Sequence, residues 1–289
     1  MPREAAARTF ARRSTRSRAR RKRRWRRPRL WPSAKTRRKW LRVFRTAPAT
    51  AQLVILCTVV AGTWLTVNGL YQVIRKPSEL FFPVSGVLHK TPQETWSAYA
   101  STFRRHATDI ITPEFLAALA QAEASGNPIA RTYWRWSWKS DPFDIYRPAS
   151  SAVGMYQITD GTFAEARKYC VHDHRVVADG PWNDWRSCWF NSLYTRTIPS
   201  HAVEMTSAYL DHNVRQILGA SGLRTATLAQ QQRLAAVVHL CGVGAGIRFA
   251  RNGLRFARAQ RCGDHDPGGY VARVEAMQRV FARLSAADH

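Results

Sequence analysis

Acidic residues are scarce. The chain has 19 Asp and Glu against 45 Lys and Arg in 289 residues, a formal net charge of +26. Cysteines number five and none stand in Cys-x-x-Cys spacing; His-Glu-x-x-His is also missing. His172, His174, His201, His212 and His265 are scattered near cysteines, but without those spacings no zinc centre is expected. No cofactor motif stands out, and none is expected. Strand-like alternation is scarce, which argues against a mainly β fold. No internal repeat is visible.

The positive charge is concentrated. Residues 1–45 carry 20 Lys and Arg and one acid, Glu4, leaving +7 for the remainder. This tail includes Arg20–Arg27, shows no evident apolar periodicity, and reads over 1–46 as a disordered, solvated segment. It suits a topogenic signal, or contact with anionic lipid, nucleic acid or an acidic partner. Next comes a run without charge, Ala51–Ile74, closed by Arg75 and Lys76. It is long enough to cross a bilayer of ~30 Å and exceeds the ~7–15 residue core of a signal peptide. The expectation is a transmembrane helix over 50–74. The basic excess then places the N-terminus in the cytoplasm and everything after the span outside. Nucleic acid is not an expected partner of the outer domain, because the excess charge lies across the membrane from it.

Residues 77–93 read as a linker, broken by Pro77, Pro83 and Gly86. From 94 to 289 the chain is expected to be mainly α, one domain with a single core. Helices are expected from Thr91-Pro92, over Thr112–Glu123, from about Asp160 to Ala166, across 186–218, and over Thr225–Leu240, Ala245–Ala257 and Gly269–Leu284. A short hairpin is allowed around the aromatic stretch Tyr133–Trp138. Outside the span, Cys170, Cys188, Cys241 and Cys262 form an even set, which suits an oxidising compartment. Three pairings are open. Cys170–Cys188 and Cys241–Cys262 are favoured because each closes a loop of about twenty residues, worth ~3 kcal/mol in the chain-entropy account.

The most informative stretch is Ala118–Pro128. Thr112 caps a helix, Pro113 suits its first position, and Gly126 with Asn127-Pro128 stops it. Glu123 therefore stands at a helix C-terminus, where the macrodipole opposes negative charge. Burial there would act in the same direction, so the carboxyl is expected to be raised toward the range of a general acid.

Three later blocks accompany it: Gly154-Met155-Tyr156-Gln157, His239 through Gly246, and Gly269-Tyr270-Val271. In this order the four stretches resemble the soluble lytic transglycosylase (SLT) family of the lysozyme-like superfamily, over roughly residues 95–285. The resemblance implies a helical lysozyme-like domain with Glu123 as catalytic acid. It places Ser125, Gly154, Tyr156, Gln157, His239 and Tyr270 along the substrate cleft. It implies peptidoglycan glycan strands as substrate, cleaved with 1,6-anhydro ends, and hence an inner-membrane protein with a periplasmic domain. An anchored wall-cutting enzyme would suit a secretion or conjugation machine.

There are departures from the family pattern. Ala124 stands where the family has Ser, Tyr156 where it has Met, and His239-Leu240 where it has Tyr-Asn. The interval from Pro128 to Gly154 is longer than usual and reads as an insert. Its Tyr133, Trp134 and Trp136 could stack on sugars or belong to the core. Asp141 or Asp144, if close to Glu123, would instead make a lysozyme-type hydrolase. Loss of the Tyr-Asn pair leaves room for a wall-binding scaffold.

Overall fold

The computed structural model describes residues 33–81, 86–137, 141–184, 186–223, 225–257 and 260–288. Most of the basic tail, together with Pro83 and Trp138, lies outside them. The chain divides into two units, Met1–Gly62 and Thr63–His289.

In the first unit, α1 (Ala34–Thr46) is capped by Ser33, whose hydroxyl accepts from Thr36 N. This part of the tail was expected to lack order. It is helical because Trp40, Leu41 and Phe44 recur at helical spacing among Arg37, Arg38, Lys39, Arg42 and Arg45, a pattern hidden by the density of charge. Trp40, Leu41 and Val43 are exposed. After Pro48, α2 (Ala49–Arg75) runs for 27 residues and is long and apolar enough to cross a membrane.

The second unit is built around one buried helix. α3 (Pro92–His106) starts with a Thr91–Glu94 capping box. α4 (Pro113–Ala124) starts at Thr112, whose hydroxyl accepts from Phe115 N. Phe115 through Ala120 are buried almost without exposure, so α4 is apolar on every side and must be enclosed. It packs against α3 and the last helix, α9 (Pro267–Ala287). α6 (Pro199–Ala220) packs on α3, α7 (Leu228–Cys241) on α9, and α8 (Val243–Arg251) on both α6 and α7. The expected long helix over 186–218 is broken, since a short 3-10 turn, Trp189–Leu193, precedes Pro199 at the first position of α6.

Two hairpins interrupt the helices. β1 (Trp134–Trp136) pairs antiparallel with β2 (Tyr146–Pro148) in the aromatic insert. After α5 (Asp160–Ala166), β3 (Tyr169–His172) pairs with β4 (Arg175–Ala178). No glycine marks the second turn, because Asp173 and His174 themselves take positive φ. Buried Glu204 on α6 holds β3 in place, accepting from Val171 N at 3.1 Å and the Tyr194 hydroxyl at 2.7 Å. Both expected disulfides form, Cys170–Cys188 and Cys241–Cys262, and Cys57 is free.

The stretch expected as a linker begins as a docked turn. Pro77–Phe81 is a 3-10 segment whose Glu79 is buried. Its carboxylate meets Lys76 at 3.2 Å, Arg131 at 3.0 Å and the Trp134 indole at 2.8 Å.

Removing the Cys170–Cys188 bridge by a double Ser substitution should lower stability by ~3 kcal/mol, the loop-closure term for a loop of this size. Chemical denaturation of the full chain in detergent, with and without the substitution, checks this. An unchanged midpoint would mean that the noncovalent contacts of β3, with Glu204, Asn191 and His212, suffice to hold the hairpin.

Candidate active site

Three helix ends bring the site together. Glu123 comes from the last turn of α4, where the chain leaves through Ser125 in a left-handed conformation at φ 50°. Gly126 follows at φ +64°, and a Cβ there would lie 2.3 Å from the Thr95 hydroxyl. Only glycine fits this turn. His239 comes from the last turn of α7. Tyr270 comes from the first turn of α9, which Asp266 caps by accepting from Gly268 N and Gly269 N.

The side chains meet on one carboxylate oxygen. The Tyr270 hydroxyl donates to Glu123 Oε1 at 2.5 Å, and His239 Nε2 lies 3.4 Å from the same atom. Tyr270 is buried, and the Glu123 side chain is only 16% exposed. Burial pushes the Glu123 carboxyl up. His239, Tyr270 and the Arg273 guanidinium together outweigh it and hold the carboxyl below its ordinary value. The expectation of a raised carboxyl is therefore overturned. It counted the helix dipole and burial, but the opposing partners come from α7 and α9, more than a hundred residues away in sequence. Burial and the neighbouring carboxylate keep the Tyr270 phenol far above its ordinary range, so it remains a donor.

Arg273 was not singled out from sequence. Its signal was its position, three residues after Tyr270 on the same helix, and its guanidinium stands 5.7 Å from the Tyr270 ring centre.

The Gly154–Gln157 block forms a tight turn against the segment that follows α4. Gly154 has φ +83°, and a Cβ there would lie 2.2 Å from the Arg196 carbonyl oxygen. Gly154 N donates to Ala130 O at 2.8 Å. The Gln157 amide donates to Gly154 O at 2.9 Å and Ala130 O at 3.3 Å. It therefore ties the turn to the segment that follows α4. Tyr156, expected along the cleft, is fully buried, and its hydroxyl donates to Leu116 O. It supports α4 from beneath and does not reach substrate. Ser125 caps α4 through its backbone, with its N–H directed to Ala120 O and Gln121 O.

The insert is engaged elsewhere. Trp136 stacks with Trp64 at 6.3 Å and lies 4.7 Å from Tyr146, while Trp134 bonds Glu79. Of the three rings expected as a sugar platform, Trp134 is engaged through its indole, whereas Trp136 and Tyr133 remain 60% and 72% exposed. Asp144 pairs with Arg75 and Arg147, and Asp141 accepts from Phe143 N within its own turn. Among the described residues, no group of three or more His, Cys, Asp or Glu is arranged to hold a metal.

The family model of the Transglycosylase SLT domain matches residues 101–238. The chain carries an SLT domain of the lysozyme-like superfamily. The match supports a peptidoglycan-acting enzyme of the lytic transglycosylase type. The matched stretch contains Glu123 and the Gly154–Gln157 turn, and it ends one residue before His239. Comparisons with curated proteins and with solved structures gave no match.

Replacing Tyr270 with Phe removes a hydrogen bond to a charged acceptor, worth ~1.5–3 kcal/mol. Because the folded carboxyl is held low, its stabilising contribution is present above the unfolded-state pKa and is lost as pH falls through the folded value. The Tyr270→Phe penalty should therefore be largest near neutral pH and shrink in acid. Denaturation of both proteins across that range checks it, and a pH-independent penalty would contradict the assignment.

Proposed function

We propose that the protein is a membrane-anchored lytic transglycosylase. It cleaves the β-1,4 bond between N-acetylmuramic acid and N-acetylglucosamine and leaves 1,6-anhydro ends. The observation that carries this reading is a single carboxylate, Glu123, buried against Tyr270 and His239 within the SLT domain. One carboxyl suffices if the substrate supplies the other groups. The neighbours of Glu123 hold its free carboxyl low, so it must first take up a proton; it then donates that proton to the glycosidic oxygen, and the substrate's N-acetyl group stabilises the cationic centre. The resulting carboxylate then accepts the proton of the muramoyl 6-hydroxyl as the ring closes. Hydrolysis through a second acid has less support, because Asp144 is paired with Arg75 and Arg147.

His239 has a part in this scheme. Its Nε2 faces the same oxygen as the Tyr270 phenol, so a proton can pass between imidazole and carboxyl once a sugar covers them. Gly154 and Gln157 shape the adjoining wall of the cleft. In this reading α2 is a single span of the inner membrane, residues 1–46 face the cytoplasm, and the SLT domain is periplasmic. Support comes from the length of α2 and the exposure of its apolar side chains. Such an enzyme suits local opening of the wall for a secretion or conjugation apparatus.

Mass spectrometry of fragments released from purified peptidoglycan tests the chemistry, with Glu123→Gln run beside the wild type. Anhydromuropeptides from the wild type alone are expected. Reducing-end products would make it a hydrolase, and no release from folded protein would favour a wall-binding scaffold. A second prediction concerns His239→Gln, which removes a partner that lowers the Glu123 carboxyl and leaves burial less opposed. The carboxyl should rise. A general acid works only while protonated, so the alkaline limb of kcat/KM should move to higher pH. A limb that stays in place would separate His239 from the acid.

A further inference from the structure

The polar residues at the C-terminal end of α2 share one register. Trp64, Asn68, Gln72 and Lys76 recur every four residues and so form one stripe along the helix and its exit. Every one of them donates to backbone carbonyls of the aromatic insert. Trp64 Nε1 reaches Pro142 O at 3.2 Å, Asn68 Nδ2 reaches Tyr146 O at 2.7 Å, and Gln72 Nε2 reaches Phe143 O at 2.6 Å. Lys76 Nζ reaches Ser150 O at 3.1 Å and Ala152 O at 3.0 Å. Asn68 and Gln72 are buried by these contacts, in a helix whose apolar side chains are mostly exposed. Ring contacts accompany them: Trp64 with Trp136, and Tyr71 with Phe143 at 5.0 Å.

The hairpin thus has its base beside Lys76 and extends back along α2 to the level of Trp64, about 18 Å at ~1.5 Å per residue. The uncharged stretch of the chain runs from Thr46 to Ile74 and is centred on Val60. A hydrocarbon layer of ~30 Å takes ~20 helical residues, about 50 to 70 on that centre. On the reading of α2 as a span, on which this inference rests, the insert reaches past the level where the helix emerges.

Non-helical backbone at that depth is tolerated only where its polar groups are satisfied. The stripe satisfies two carbonyls there, Pro142 O through Trp64 and Tyr146 O through Asn68, and Gln72 satisfies Phe143 O at its edge. The same depth favours Trp and Tyr. Trp136 is 60% exposed despite its stack on Trp64, and Leu65, Val67 and Leu70 on the same stretch of α2 are exposed as well.

We propose that the Trp134–Pro148 hairpin is a second membrane-contact element, held by the α2 stripe in the outer interface of the lipid bilayer. The SLT domain then sits on the lipid surface at a fixed height. Gly154 N and the Gln157 amide bond Ala130 O at the root of the insert, so the cleft wall is joined to this seat. Glycan close to the membrane is then the accessible substrate.

The test uses the full chain in nanodiscs of phosphatidylcholine and phosphatidylglycerol. With Cys57 replaced by Ala, an environment-sensitive fluorophore is attached to Trp136→Cys or Tyr133→Cys. A third label goes to exposed Asp109→Cys, at the opposite end of α4 from Glu123. A separate sample carries the label on native Cys57. Lipid-borne quenchers should remove most of the emission at positions 57, 136 and 133 and little at 109. Quenching at 57 without quenching at 136 and 133 would overturn the hairpin's role and leave the span intact. Emission retained at 57 as well would overturn both.

The pair Asn68→Leu with Gln72→Leu provides a second measurement. It should raise hydrogen exchange across 141–148 and reduce quenching at Tyr133→Cys, with quenching at 57 unchanged. Unchanged exchange and quenching at Tyr133→Cys would rule out the stripe as the holder.

Discussion

A carboxylate removed from water at a helix C-terminus must be compensated, and much of the SLT domain is arranged to do so for Glu123. Uncompensated, such a group costs several kcal/mol, and the helix dipole adds to the cost. The compensation comes from Tyr270 and His239, with Arg273 acting at longer range. Each donor depends on a local device. Asp266 caps α9 one turn before Tyr270, and the Cys241–Cys262 bridge fixes the end of α7 two residues after His239. Gly126 lets the chain leave α4 directly against Thr95. The buried α4 fixes the depth of Glu123, and Tyr156, packed under Leu116, is part of that foundation.

This arrangement explains how His239 can stand where the resembling family has a tyrosine. An imidazole and a phenol can each donate to a carboxylate, so the compensation survives the exchange. What changes is the donor atom, a ring N–H in place of a phenolic O–H. The Tyr270 phenol, held far above its ordinary range, does not give up its proton and stays the fixed donor.

Much of the domain was legible because its signals are local. Thr112-Pro113 and Thr91-Pro92 mark helix starts whatever lies around them, and Gly126-Asn127-Pro128 marks a stop. The disulfides followed from short loop lengths. What was not legible depends on groups far apart in sequence. The direction of the Glu123 shift needs His239 and Tyr270 in place. Tyr156 carries a hydroxyl, and only the packing of α4 shows that it points inward. The β3–β4 turn uses Asp173-His174 where glycine would have announced it. In α1, apolar spacing was masked by arginines.

The stripe on α2 is present in the sequence in plain form. An amide such as Asn68 in hydrocarbon without a partner is costly, and a second amide, Gln72, follows a turn later. A helix acting only as a tether has no use for such groups on one line. Four donors at intervals of four residues specify a line of acceptors beside the helix, and an insert with free carbonyls supplies them. The long interval between Pro128 and Gly154 and the polar stripe of the apolar helix are therefore one feature, its halves 71 to 78 residues apart in sequence and joined where the domain meets α2.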